Sequence, residues 1–140
     1  LLIGGNAINN AAAGYIRIDR TCAADASANN NDADNSGSLK YVQIHYAKTG
    51  LIAASAGSGT VLDHIEVTES SENSFALHGG TANIKYAVSV NPKKNDFYVS
   101  DGYRGNMQFL LGWRADAGAH GRKPEACTSS TMRLLLRQCR

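Results

Sequence analysis

Four histidines are the first residues from which a metal or acid–base centre would be assembled: His45, His64, His78 and His120. Their spacing gives neither His-x-His nor His-Glu-x-x-His, the patterns that bring two imidazoles to one ion, so they are expected to be surface imidazoles and no metal site is expected. Cys22, Cys127 and Cys139 show no paired-ligand spacing, and an odd number cannot pair completely within one chain. Three free thiols fit that pattern, and so does a Cys127–Cys139 loop in an oxidising compartment. Asp96 and Asp101 flank a turn with no third acid nearby. A Ca²⁺ ion takes about six or more oxygens, so turn caps are the expected role.

The remaining chemistry depends on a repeat. The segments LKYVQIHY, LDHIEVTE, IKYAVSVN and MQFLLGWR begin at Leu39, Leu62, Ile84 and Met107, spaced by 23, 22 and 23 residues. A second apolar anchor follows at Ile52, Phe75 and Phe97. A period in the low twenties describes a solenoid coil. Leucine-rich repeats share it but need a helical or 3₁₀ return, whereas the returns here are polar and bounded by Gly. Within each segment the apolar positions are the first, fourth and usually sixth, as a strand bent after its first residue and alternating thereafter would give. The fold class predicted is all-β, a short parallel β-helix with coils of about 22–23 residues.

Stacking the coils sorts residues into columns about 4.8 Å apart. Leu39, Leu62, Ile84 and Met107 form one inward column, Val42, Ile65, Ala87 and Leu110 a second, and Ile52, Phe75 and Phe97 a third. Outward columns are charge-compensated: Asp63 falls between Lys40 and Lys85, and Glu72 beside Lys94. Asn73 and Asn95 share a turn position where amides can bond up the stack. Neutralisation of like charges accounts for Asp63 without a catalytic role. Tyr41, His64, Tyr86 and Phe109 share a column. If it faces solvent, Tyr41, His64 and Tyr86 form a candidate ligand-stacking surface for sugars; core or half-buried packing is the expectation, because aromatics in a small β protein are needed for burial.

At the ends the pattern changes. LLIGGNAIN is expected to supply an earlier coil and GYIRIDR a strand, before a polar insertion at about residues 21–38. The β-helix domain is thus assigned to residues 1–114. Residues 115–140 form a basic tail, disordered or with a short helix at MRLLLRQ capped by Ser129 or Ser130. That tail holds five Lys/Arg against two Asp/Glu, within a chain of 140 residues and formal net charge +2. Such a balance is no footprint for specific nucleic-acid binding. With 43% hydrophobic residues, 14 Gly and 2 Pro, the chain suits one turn-rich β domain and not a two-domain enzyme. No apolar run reaches the roughly 20 residues of a membrane helix. Leu1–Ala13 is not patterned as a signal peptide, and a start without Met suggests a piece of a longer product.

The blocks DNSGSLKYVQIHYA (34–47), GSGTVLDHIEVTESSENSFALHGGTANIKYAVSV (57–90) and DFYVSDGYRGNMQFLLG (96–112) resemble those of a family of bacterial envelope and secreted proteins and lipoproteins. The resemblance covers about residues 1–112 and implies a right-handed parallel β-helix. It also implies an extracellular or outer-membrane-surface location. Family members carry paired acids before each Phe, where this chain has Ser71, Glu72, Asn73, Ser74 and Lys94, Asn95, Asp96, which argues against a cation site. Together these readings predict a non-catalytic surface or secreted scaffold, structural, adhesive or glycan-binding, with a polysaccharide or cell-surface partner and no cofactor. The alternative is a fragment of a polysaccharide lyase or hydrolase.

Overall fold

A computed structural model describes residues 31–115 in full, together with the backbone of four short strands outside that range. In chain order the strands are β1 (Leu2–Ile3), β2 (Tyr15–Ile18), β3 (Cys22–Asp25), β4 (Ser38–His45), β5 (Leu51–Ala54), β6 (Val61–Thr68), β7 (Phe75–His78), β8 (Asn83–Val90), β9 (Phe97–Ser100), β10 (Met107–Trp113) and β11 (Cys127–Ser129). Among the described residues there is no helix. Long strands stack in parallel as β4-β6-β8-β10, and short ones as β1-β5-β7-β9-β11. From β4 onward each coil therefore gives one strand to each sheet, with β1 added at the end of the short one, and the fold is a parallel β-helix.

Register follows the repeat. Leu39, Leu62, Ile84 and Met107 are consecutive partners across the long sheet, as are Val42, Ile65, Ala87 and Leu110. Leu62, Ile65, Ile84 and Ala87, in the two central coils, are almost fully buried, whereas their counterparts in β4 and β10 are only half-buried. Removing a large aliphatic side chain of this kind from water contributes about 1.5–3 kcal/mol. The third column needs a correction. Leu51, not Ile52, pairs with Phe75 and so stands in line with Phe97; Ile52 pairs with Ala76 on the opposite face. From Leu39 in β4 and Leu62 in β6, the chain takes one residue fewer to reach this column in the first coil than in the second.

What bends each coil is a set of left-handed residues that recur in register. Tyr41, His64, Tyr86 and Phe109 have φ of 54°, 52°, 52° and 57°. Tyr46, Glu69 and Asn91 form a second corner at 56°, 55° and 49°, and Ser55, Gly79 and Asp101 a third at 53°, 59° and 55°. A non-glycine residue pays about 1–2 kcal/mol for this conformation, so stacking must hold it there. Because the first corner is the third residue of each repeat segment, counted from Leu39, Leu62, Ile84 and Met107, positions one and four both point inward. That explains the odd apolar spacing of the repeat. Gly80, with φ 79°, lies so close to the Ala56 carbonyl that a Cβ would collide with it.

Polar ladders close the stack. Asn95 Nδ2 donates to Asn73 Oδ1 at 3.0 Å, Asn106 Nδ2 to Asn83 Oδ1 at 3.1 Å, and Lys94 Nζ meets Glu72 Oε1 at 2.9 Å. Inside, the sixth-position column shrinks from Ile44 and Val67 to Ser89 and Gly112, and an ion pair between buried Asp96 and half-buried Arg114 fills the space. Arg114 donates from Nε and Nη2 to Asp96 Oδ2 at 3.1 and 2.9 Å. Ser89 Oγ is 2.6 Å from Asp96 Oδ1 and 2.7 Å from Ser74 Oγ. Asp96 is 2% exposed, so it is an interior anion and not a turn cap.

Two further expectations meet the structure at the ends. Cys22–Asp25, inside the stretch read as a polar insertion, pairs antiparallel with Tyr15–Ile18. Cys127–Ser129, inside the stretch read as tail, pairs in parallel with β9, so Ser129 belongs to a strand. The helix expected at MRLLLRQ, the cap at Ser130, His120 and Cys139 lie outside the described residues, as do the side chains of Cys22 and Cys127. No helix of the described residues is long and apolar enough to cross a membrane.

Candidate functional site

The first corner turns its side chains outward. Tyr41, Tyr86 and Phe109 are 76%, 43% and 65% exposed, and His64 is exposed between Tyr41 and Tyr86. The expected burial of this column is therefore wrong: a left-handed third residue points away from the core whatever its hydrophobicity. The rings stack as a ladder, with centroids 4.6 Å apart for Tyr41–His64, 4.4 Å for His64–Tyr86 and 4.8 Å for Tyr86–Phe109. Near-parallel planes leave the inner ring faces covered by their neighbours. Among the described residues, what the ladder offers to solvent is ring edges, and one open face at each end.

Beside the ladder runs a groove of about 450 Å³, lined by Tyr41, Val42, Gln43, His64, Ile65, Glu66, Tyr86 and Val88. Its volume lies within the range of small-ligand sites, about 300–1,000 Å³. The groove crosses β4, β6 and β8, so it runs along the solenoid axis. Glu66 is fixed on its wall: Oε2 accepts from Gln43 Nε2 and Oε1 from Thr68 Oγ1, each at 3.2 Å. Asp63 pairs across the strands with Lys40 and Lys85 in backbone register. Its carboxylate also lies 2.8 Å from Nδ1 of His64, a contact that orients the imidazole within the ladder.

A second polar cluster sits on the short sheet, and residue-type reasoning missed it. His78 Nδ1 is 2.7 Å from Ser100 Oγ and 3.0 Å from Asp101 Oδ2, while Ser100 Oγ donates to the same Asp101 oxygen at 2.6 Å. The residue types are those of a nucleophilic triad, but the geometry is not. In such a triad the serine and the carboxylate occupy opposite ring nitrogens; here both engage Nδ1, and the serine proton is directed to the carboxylate. The signal was available, because His78 and Ser100 are partners 22 residues apart in adjacent coils. Asp101 is thus engaged by His78, as Asp96 is by Arg114, and the two do not form a shared cation site. Among the described residues no group of three or more His, Cys, Asp or Glu is placed to hold a metal ion.

No curated protein and no solved structure matches the chain. A family model does, over residues 1–134, a span that extends past the 1–112 covered by the resemblance and takes in β11. That model describes a pectate-lyase-like β-helix domain, in keeping with the parallel coils seen here, and its match spans nearly the whole length: the chain belongs to the pectate-lyase-like β-helix domain family.

Proposed function

We propose that this chain is a non-catalytic scaffold that binds glycan along the groove beside the Tyr41–His64–Tyr86 ladder, as part of a bacterial surface or secreted protein. The observation that carries the reading is the exposed ladder itself. Aromatic rings held outward in left-handed corners cost folding energy and contribute little to burial, so they are best accounted for by a contact outside the chain. Sugar contacts would fall on ring edges, on the Tyr41 and Tyr86 hydroxyls, and on the open face of Tyr41. Equivalent rungs in successive coils suit an extended polymer, each contributing a modest share. Binding to a panel of polysaccharides by affinity electrophoresis tests this. Single Ala replacements of Tyr41, His64 and Tyr86 should each weaken binding gradually, by about 1–2 kcal/mol.

The family likeness to pectate lyase, together with the Asp63–His64 contact, favours a second reading as a fragment of a polysaccharide lyase or hydrolase. The first reading expects no cleavage of acidic or neutral polysaccharide by the isolated chain. Turnover that vanishes in Asp63→Asn would replace it with the second.

A further inference from the structure

We infer that the groove takes an uncharged polysaccharide, in preference to a polyuronate or a polycation; the inference rests on the glycan-binding reading above. Among the described residues the groove lining contains one fixed anion, Glu66, and neither Lys nor Arg. Its remaining polar groups are the Gln43 amide, the His64 ring and the tyrosine hydroxyls. These are hydrogen-bonding partners for sugar hydroxyls. The Glu66 oxygens keep lone pairs beyond those used by Gln43 and Thr68, and a carboxylate accepts strongly from hydroxyl donors. A uronate laid along the same wall would instead bring its carboxylates toward Glu66, and the nearest cations, Lys40 and Lys85 across the ladder, are offset by the Asp63 carboxylate between them.

The other flank of the ladder opposes the opposite charge. Lys40 and Lys85 stand one position before Tyr41 and Tyr86, both exposed, while Asp63 between them is engaged by His64. A polycation seated against Glu66 would pass within the field of those two ammonium groups. Glu66 and Asp63 balance Lys40 and Lys85, so neither sign of charge gains net attraction along the ladder, and neutral hydroxyls need none.

Calorimetry on the whole chain separates the classes. The probes are neutral hexamers of β-linked glucose, mannose and xylose, hexagalacturonate, and a glucosamine hexamer. At least one neutral hexamer should bind, with an affinity about tenfold lower in Tyr86→Ala and nearly unchanged by added salt. Hexagalacturonate and the glucosamine hexamer should bind about tenfold more weakly or worse. Glu66→Lys should reverse the order of the neutral and uronate probes, with an unchanged melting temperature as the folding control. A charged hexamer that binds as tightly as the neutral ones, and needs Tyr86, overturns the ligand class alone. No binding by any hexamer, or binding indifferent to Tyr86→Ala, overturns the groove reading and this inference with it.

Discussion

Two aromatic stacks run along this solenoid, one inside and one outside. Phe75 and Phe97 lie 5.1 Å apart with planes 12° from parallel, fully enclosed between the sheets. Tyr86 and Phe109, 4.8 Å apart at 8°, have nearly the same geometry in solvent. Coil register imposes the stacking in both places, so ring geometry alone does not separate core from surface. What separates them is the backbone beneath: Phe75 and Phe97 begin short strands, whereas Tyr86 and Phe109 occupy left-handed corners. Burial stabilises the inner pair, while the outer rings recover only mutual stacking against their conformational cost.

The contrast is broken most directly at neighbouring residues of β8. Ile84 is fully buried, so Ile84→Asp should abolish cooperative folding by placing an unpaired charge in the core, at a cost of several kcal/mol. Lys85→Gln, one residue on and exposed, should change stability by no more than about 1 kcal/mol. Equal melting of the two variants would mean that the assigned faces are exchanged. Next in size, Phe75→Ala should cost about 3–5 kcal/mol in denaturant unfolding, against about 1 kcal/mol for Tyr86→Ala. Asp96→Ala should come close to the former, at about 3 kcal/mol, because it takes the carboxylate from a half-buried Arg114 that keeps, among the described residues, only the Pro92 and Lys94 carbonyls.

A buried tyrosine extends the comparison to pH. Tyr103 donates its hydroxyl to the Ala82 carbonyl at 2.5 Å, and desolvation raises its pKa well above the ordinary value near 10. The folded state therefore keeps the proton that the unfolded chain releases. Stability from this group is complete below about pH 10 and declines above it, by about 1.4 kcal/mol per pH unit until the folded-state value is reached. Tyr103→Phe should flatten that alkaline decline in melting experiments. A decline that persists in this variant would assign it elsewhere.

The smallest effect is the most diagnostic of the corners. In an ordinary strand Gly is less stable than Ala by about 0.5–1 kcal/mol. At Tyr41 the order should invert, with Tyr41→Gly more stable than Tyr41→Ala by about 1 kcal/mol, since Ala retains the left-handed strain without the stacked ring. A chelator should leave the melting temperature unchanged, because Asp96 and Asp101 are already satisfied by Arg114, Ser89, His78 and Ser100.

Much of this architecture is legible in the sequence because a solenoid repeats its errors as well as its rules. The Leu39 and Val42 columns, the Asn73–Asn95 ladder and the Lys94–Glu72 pair follow from spacing alone. Leu51 was missed because it sits beside an equally apolar Ile52, and a coil one residue shorter at that point leaves no trace in composition. The outward turn of Tyr41, His64 and Tyr86 was missed for a deeper reason. Left-handed corners are expected at Gly or Asn, and here aromatic residues hold them. The Asp96–Arg114 pair had left a sign, in the loss of interior volume from Val67 to Ser89 to Gly112, that is readable once the column is known.

The in-register corners carry a consequence for exchange. A partner shifted along the axis by one coil meets His64 where it had met Tyr41, and Tyr86 where it had met His64, on an almost identical backbone. The surface is a row of near-degenerate seats. Occupancy would be shared among them, so a bound chain would hop between registers without leaving the molecule, and its contacts would average over several rungs instead of settling in one fixed pose.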